Sequence, residues 1–333
     1  MEDDPYGFAY HLERAAVKVM NRASRAAFAR RVRRRFDGKA ASTTEKPFDA
    51  QYPRRRWGEV LRAIHAAQKD VAAYVAVCEE TGITAEDCLA IATLLRARKP
   101  EDALRWVERG VELDKMLARG SMAAYDLGEL KRDLLVKLGR AGDAREDAWA
   151  EFCSHPGKYT YDDLMRHVPK AERATWHTRA MDASAGAGLD TLIELWLETK
   201  EIDHLVDRLN RANDGELQAL SHYTAQPAAE QLAKSHPAVA ARVFRALGIR
   251  ILSAKKSKYY DAALSHLESA KECCARAGLD TQWKAVAAEV RDAHHRKLGF
   301  MARFERLVAG HGPSAEPSLL ERAKSRWSSR GVR

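Results

Sequence analysis

The sequence lacks any stretch long and apolar enough to cross a membrane as a helix. Its longest uninterrupted apolar run is VAAYVAVC, from Val71 to Cys78, whereas a transmembrane helix needs about 20 apolar residues. The chain opens with MEDDPYG, which is acidic where a secretory signal would be basic. No Asn-x-Ser/Thr glycosylation motif occurs. We therefore expect a cytoplasmic protein without a membrane partner.

Cysteine, proline and glycine are scarce. The five cysteines are an odd number in a chain of 333 residues, which indicates reduced thiols rather than a disulfide framework. Only 10 prolines and 19 glycines interrupt a sequence rich in Ala, Leu, Glu and Arg, and these four residue types lose little freedom in a helix. No segment alternates apolar and polar residues as a strand would. The composition predicts an all-α fold.

Catalytic signatures are also missing. The sequence contains no P-loop, no G-x-S-x-G, no H-E-x-x-H and no G-x-G-x-x-G. Glu201 and His204 form one E-x-x-H, but a di-metal carboxylate site needs this motif twice, so a solvated helix face is the favoured interpretation. Asp163 and His167 could position a general base, although a surface contact is the commoner outcome of this spacing. We predict no catalytic residue, no metal site, no cofactor and no enzymatic activity.

What is present reads as a series of short helices with short connections. The segments LLRARKPEDALRWVE, LLVKLGRAGDAREDAW and RILSAKKSKYYDAALSHLE share a polar turn followed by an acidic and a small residue, which places Ala103, Ala144 and Ala262 at similar positions. These alanines are 41 and 118 residues apart, so the repeat has no fixed period. The pattern predicts an α-solenoid of antiparallel helical hairpins, comparable to degenerate tetratricopeptide (TPR) or HEAT arrays.

The segment KKSKYYDAALSHLESAKECCARAG contains two adjacent cysteines. On a helix, one apolar stripe comprises Tyr260, Ala263, Leu264, Leu267, Ala270, Lys271 and Cys274. Cys274 lies on the stripe and Cys273 is turned aside, because helical neighbours diverge by about 100°. Two thiols that face different ways suit a shared metal poorly. We expect buried, unreactive sulfur, with a redox or metal role as the alternative.

Charge is distributed unevenly along the chain. Residues 1–56 hold 14 Lys/Arg against 7 Asp/Glu, residues 57–236 hold 23 against 31, and residues 237–333 hold 19 against 9. The stretch from Asp37 to Tyr52 is the best linker candidate, and Pro53 fits the first position of the following helix. We predict a basic helical segment at 1–46, an α-solenoid at 53–309, and a short helix with a tail at 313–333.

The strongest charge feature is the stretch RRVRRRF. Phe28, Val32 and Phe36 form an apolar stripe at i, i+4 and i+8, so the arginines gather on the opposite side of the same helix. The candidate residues for an anionic partner are Arg30, Arg31, Arg34 and Arg35, extended by Arg54, Arg55 and Arg56. Such a face can bind phosphates with a salt-dependent affinity. The alternative is a solvated helix face.

Two segments carry a resemblance to a known family. KKSKYYDAALSHLESA, followed by GLDTQWKAVAAEVRDAHHRKLGFM, resembles the helical C-terminal region of bacterial SWIM zinc-finger proteins and a related set of uncharacterised bacterial helical proteins. The similarity covers about Leu89 to Arg303, and DPYGFAYHLERA near the start resembles the same uncharacterised set. It implies a TPR-like helical array and no reaction. A SWIM finger needs a C-x-C pair, which is absent here, so the zinc site and its nucleic-acid role are not transferred.

These observations lead to a functional expectation. A TPR-like α-solenoid presents helix faces that select peptides or folded partners, and we expect a non-enzymatic protein-interaction scaffold. The alternative is a nucleic-acid-associated protein that binds phosphates through its basic N- and C-terminal segments. The two differ in that nucleic-acid binding weakens steeply with salt.

Overall fold

The computed structural model describes residues 12–40, 47–254 and 256–310. Within these ranges the regular structure is helical and no β-strand occurs, which confirms the all-α prediction. None of the helices in these ranges has the length and apolar character needed to span a bilayer. The α-helices of the described residues are α1 (Leu12–Val19), α2 (Arg22–Ala40), α3 (Pro47–Gln68), α4 (Val71–Thr81), α5 (Ala85–Leu95), α6 (Pro100–Lys115), α7 (Ala124–Lys137), α8 (Ala141–Ser154), α9 (Lys158–His167), α10 (Arg173–Ser184), α11 (Leu189–Thr199), α12 (Ile202–Arg211), α13 (Asp214–Ala219), α14 (His222–Leu232), α15 (Pro237–Ser253), α16 (Tyr260–Arg276), α17 (Asp280–His294) and α18 (Leu298–Val308).

The described helices form two compact units. The first unit draws on Met1–Glu151 and Asp163–Arg173, and the second on Phe152–Asp162 and Ala174–Arg333. Each unit has its own apolar core. The proposed division into 1–46, 53–309 and 313–333 stays a prediction, and its last segment lies outside the described residues.

The first unit is built from short helices with well-defined ends. The Thr84 hydroxyl accepts the Asp87 N–H at 3.2 Å while the Asp87 carboxylate accepts the Thr84 N–H at 3.2 Å, which forms a capping box at the start of α5. Gly82 ends α4 with φ +85°, a backbone conformation open to glycine without a Cβ penalty. Pro100 opens α6, as expected from its fixed φ.

Two helical pairs approach each other closely at small residues. In the first unit, a Cβ atom on Gly110 of α6 would lie 2.9 Å from the Cys88 Cβ of α5. In the second unit, a Cβ atom on Gly248 of α15 would lie 2.8 Å from the Leu267 Cγ of α16. Ala263 of α16 is completely buried at the same place. Small side chains therefore set the spacing of both pairs.

The linker prediction is wrong for the described part of its range. Helix α2 continues to Ala40 and α3 begins at Pro47, so only residues 41–46 of the proposed linker lie outside the described residues. Pro53 is consequently an interior residue of α3 rather than its first. It cannot donate a backbone hydrogen bond there, but Pro47 offers the same preset φ six residues earlier.

Helix α16 carries the predicted apolar stripe, but the prediction for Cys273 is wrong. Both Cys273 and Cys274 are buried, so Cys273 is not turned aside. Helix α16 contacts α15, α17 and α18, and this packing buries an arc wider than one stripe. The fully buried alanine is Ala263, whereas Ala262 is half-buried.

Candidate functional site

The arginine-rich helix α2 packs on α3 through the predicted apolar stripe. Val32 and Phe36 are buried in one cluster with Leu61 and Ile64 of α3, and Phe28 packs partly buried against them. This orientation follows from the i, i+4, i+8 spacing of the three apolar residues. The remaining faces of α2 are therefore available for the arginines.

Arg30, Arg31 and Arg34 are exposed on α2. Among the residues that the structure describes, none of these three guanidinium groups takes part in an ion pair. Arg55 of α3 is exposed as well. We call Arg30, Arg31 and Arg34 the arginine face.

The neighbouring arginines are engaged within the first unit. Arg33 donates two hydrogen bonds to Glu80 of α4, at 2.8 and 3.0 Å, and these bonds are the main reason why the pKa of Arg33 is raised. The Arg33 and Arg54 Cζ atoms lie 5.0 and 4.9 Å from the centroid of the Phe36 ring. Arg54 also reaches Glu80 at 3.7 Å. Glu80 therefore neutralises positive charge of Arg33 and Arg54, although the helical pattern of the sequence around these arginines does not reveal it, because Glu80 lies on α4.

The other two candidate arginines are partly covered. The Arg35 Cζ atom lies 5.3 Å from the centroid of the Trp57 ring, a cation–π distance. Arg56 is half-buried on α3. Together with Arg54, these residues have structural contacts, so the seven candidates do not form one uniform surface.

A cleft of about 700 Å³ opens where α1, α3, α4 and α5 meet, with Arg55 on its wall. At its base, Asp87 accepts hydrogen bonds from the Tyr74 hydroxyl at 3.0 Å and from Arg62 at 3.1 Å. Burial and the Asp87 carboxylate raise the pKa of Tyr74 well above its ordinary value. Burial also raises the pKa of the nearby Cys78 thiol to about 11. The phenol and the thiol therefore stay protonated and are poor nucleophiles.

Comparison with known proteins assigns the chain to a family. A family described as a family of unknown function (DUF6880) matches residues 7–303, which are 297 of the 333 residues. The chain belongs to the DUF6880 family. It has no match among curated proteins or solved structures.

In this DUF6880 chain the pair Asp163 and His167 is not the expected surface contact. Both side chains are buried, with the His167 Nε2 and Asp163 Oδ1 atoms 3.8 Å apart. Asp163 also lies 2.7 Å from Arg132, which binds Asp147 at 3.0 Å. Burial lowers the pKa of His167. The Asp163 carboxylate forms an ion pair with Arg132, so the pair belongs to a buried charge network in the first unit.

A hydrogen-bonded chain in the second DUF6880 unit was not visible in the sequence. The Tyr161 hydroxyl lies 2.8 Å from the His177 Nδ1 atom, and the His177 Nε2 atom lies 2.7 Å from the Glu201 Oε1 atom. A carboxylate only accepts, so the His177 Nε2 atom donates to Glu201. His204 was predicted on a solvated helix face, and its side chain is exposed. Its ring stacks on Trp196, with the two ring centroids 6.0 Å apart.

The order tyrosine–histidine–glutamate is one that can move a proton. In this chain the same bonds connect α9, α10 and the α11–α12 turn. The described residues contain no group of three or more His, Cys, Asp or Glu side chains arranged to hold a metal ion. No signal in the local sequence pairs Tyr161 with His177, because the two residues are 16 positions apart.

Proposed function

We propose that this DUF6880 chain is a non-enzymatic scaffold that binds an acidic protein partner through the arginine face. The observation that carries the proposal is the separation of two kinds of arginine on one helix. Arg33 is neutralised by Glu80, whereas Arg30, Arg31 and Arg34 are exposed without an ion pair in the described part of the chain. A concentrated positive field on a well-anchored helix favours association with negatively charged surfaces.

The proposal includes a TPR-like solenoid arrangement of helical hairpins and a cytoplasmic location. The closely packed pairs α5–α6 and α15–α16 support hairpins as the building unit. The resemblance of about Leu89 to Arg303, carried by the segments at 255–301, to the helical C-terminal region of SWIM zinc-finger proteins supports the same arrangement. Such arrays bind partners through exposed helix surfaces rather than through catalytic groups.

Nucleic acid is the second candidate partner. The same free guanidinium groups would pair with phosphates, and each phosphate contact would add to the salt dependence of binding. An acidic protein and a nucleic acid would contact the same three arginines. Substitution of these residues therefore cannot tell the two partners apart, and the experiment must do so by treating one sample with nuclease.

The test uses the triple variant Arg30→Glu, Arg31→Glu and Arg34→Glu in the full chain. A matched control reverses three exposed arginines elsewhere, Arg119, Arg173 and Arg296. Arg35 and Arg54 are left unchanged because their aromatic contacts would confound the result. Wild type and both variants are used for co-purification at two salt concentrations, with nuclease-treated and untreated arms.

We expect the triple variant to fold normally and to lose protein partners in the nuclease-treated arm, while the control retains them. Loss confined to the untreated arm would favour nucleic acid. Retention of every partner at both salt concentrations would show that the arginine face is only a solvated surface.

A further inference from the structure

A second cleft in the first unit lies apart from the arginine face. It has a volume of about 570 Å³, which is in the range of ligand-binding clefts. It is formed by the start of α4, the end of α5 and one side of α6. Its lining residues are Val71, Ala72, Leu95, Lys99, Asp102, Arg105, Trp106 and Arg109. We call it the Trp106 cleft.

One face of α6 supplies most of its wall. Asp102, Arg105, Trp106 and Arg109 occupy positions i, i+3, i+4 and i+7, which share one side of a helix. The sequence shows this spacing, but it does not show a cleft. The cleft exists because α4 lies opposite this face of α6 and contributes Val71 to the lining.

The indole of Trp106 is held in place by the fold. Trp106 is half-buried and packs against two apolar clusters of the first unit. The Arg109 Cζ atom lies 5.1 Å from the centroid of the Trp106 ring. An aromatic side chain that is fixed before binding loses little entropy when a ligand arrives.

The charges of the cleft do not cancel. Asp102 forms an ion pair with Arg105, and the nearby Asp70 accepts the Ala73 N–H as the N-cap of α4. Lys99 and Arg109 are exposed, and neither has an ion pair among the described residues. The cleft therefore combines an apolar floor with two uncompensated cations.

We propose that the Trp106 cleft binds an acidic protein segment that carries an apolar side chain. The carboxylates would pair with Lys99 and Arg109, and the apolar side chain would lie against Val71, Leu95 and Trp106. Apolar anchors flanked by charge pairs are the usual arrangement of protein contact sites. An oligonucleotide fits less well, because a base would have to displace Arg109 in order to stack on the indole, whereas an apolar side chain can also contact Val71 and Leu95 beside it.

The Trp106 cleft is distinct from the arginine face, since it uses different residues and different helices.

The test titrates a labelled short peptide, with alternating Glu and Gly on both sides of one Phe, into the full chain. Parallel titrations use the same peptide with Ser for Phe, with Lys for Glu, and a short oligothymidylate.

The variant Lys99→Glu with Arg109→Gln removes the two cations that have no ion pair among the described residues. Because Arg109 also contacts the Trp106 ring, thermal unfolding of the variant is compared with that of wild type. The matched control, Arg98→Glu with Arg96→Gln, makes the same charge change at exposed residues of the adjoining α5–α6 connection. We expect the first variant to weaken binding of the Glu–Phe peptide at least about tenfold, and the control to change it less than about twofold. Replacing Phe by Ser in the peptide should also weaken binding.

Three results would overturn the proposal. Binding that is equally weakened by both variants is nonspecific charge attraction. Tighter binding of the oligothymidylate, lost with Lys99 and Arg109, would assign the cleft to nucleic acid. Absence of binding of the Glu–Phe peptide would leave the cleft without this function. The triple variant of the arginine face should bind the peptide as wild type does, so failure of one proposal is distinguishable from failure of the other.

Discussion

Gly248 of α15 lies so close to Leu267 of α16 that a Cβ atom on the glycine would be 2.8 Å from the leucine Cγ. Gly248→Ala should therefore lower the melting temperature. Overpacking costs about 1–3 kcal/mol, and the higher helix propensity of alanine offsets about 1 kcal/mol of it. The control is Gly299→Ala at an exposed position of α18, where nothing lies within 4 Å. An equal effect of both substitutions in thermal unfolding would contradict the close approach.

Ala263 on α16 faces the same contact and has no exposed surface. Ala263→Trp inserts a large ring against α15 and should lower the free energy of unfolding by about 1–3 kcal/mol or more. Denaturant unfolding measures this change. Ala262→Trp, one residue away at a half-buried position, should be milder. An unchanged midpoint for Ala263→Trp would mean that this face of α16 is not packed.

Asp87 holds together the base of the larger cleft in the first unit. Asp87→Ala would leave the Arg62 guanidinium largely buried without its partner and remove the acceptor of the Tyr74 hydroxyl. Breaking a buried pair in this way costs about 3–5 kcal/mol, which denaturant unfolding would record. Glu86→Gln, at the exposed neighbouring position, should change stability by no more than about 0.5 kcal/mol. Comparable effects of the two substitutions would argue against a structural role for Asp87.

His266 should make the second unit sensitive to acid. It is buried between His222 and Phe244, and burial, followed by the charge of His222, lowers its pKa, against an opposing effect of Glu230. The folded state therefore binds fewer protons than the unfolded state below about pH 6.5. The stability that depends on a neutral His266 is fully present above that pH and is lost as the pH falls towards the pKa of the folded state. The free energy of unfolding decreases by at most about 1.4 kcal/mol per pH unit for one group.

The measurement is the melting temperature of wild type and His266→Met between about pH 7.5 and 5. We expect the variant to show a smaller decrease at low pH. His65, His167 and His294 also have lowered pKa values. The pH dependence of the melting temperature should therefore be weaker in His266→Met but should not disappear. The exposed His204→Gln variant should follow the wild-type curve. A His266→Met curve parallel to wild type would refute this contribution.

The cysteines should differ sharply in reactivity. Cys153 is exposed, whereas the other four are buried. Burial raises the pKa values of Cys78 and Cys88 to about 11 and also raises those of Cys273 and Cys274. Alkylation of the native protein followed by mass spectrometry should modify Cys153 first, and unfolding should expose the rest. Early modification of the α16 pair, or stoichiometric zinc in elemental analysis, would contradict buried, metal-free thiols.

The sequence alone determined the helical class, several helix ends and the buried faces of single helices. The stripe of Phe28, Val32 and Phe36 was readable because the α-helical period of 3.6 residues is a property of the local backbone. The capping box at Thr84 and Asp87 was readable for the same reason, since its hydrogen bonds span three residues.

Only the tertiary structure decided which charges are free and which are neutralised. Arg33 and Glu80 are 47 residues apart, and His177 and Glu201 are 24 apart. No local period connects such positions, because their meeting depends on which helices pack together and at what distance. The same packing buried Cys273 and the Asp163–His167 pair, since contacts from several neighbouring elements widen the covered surface beyond the stripe that one helix shows by itself.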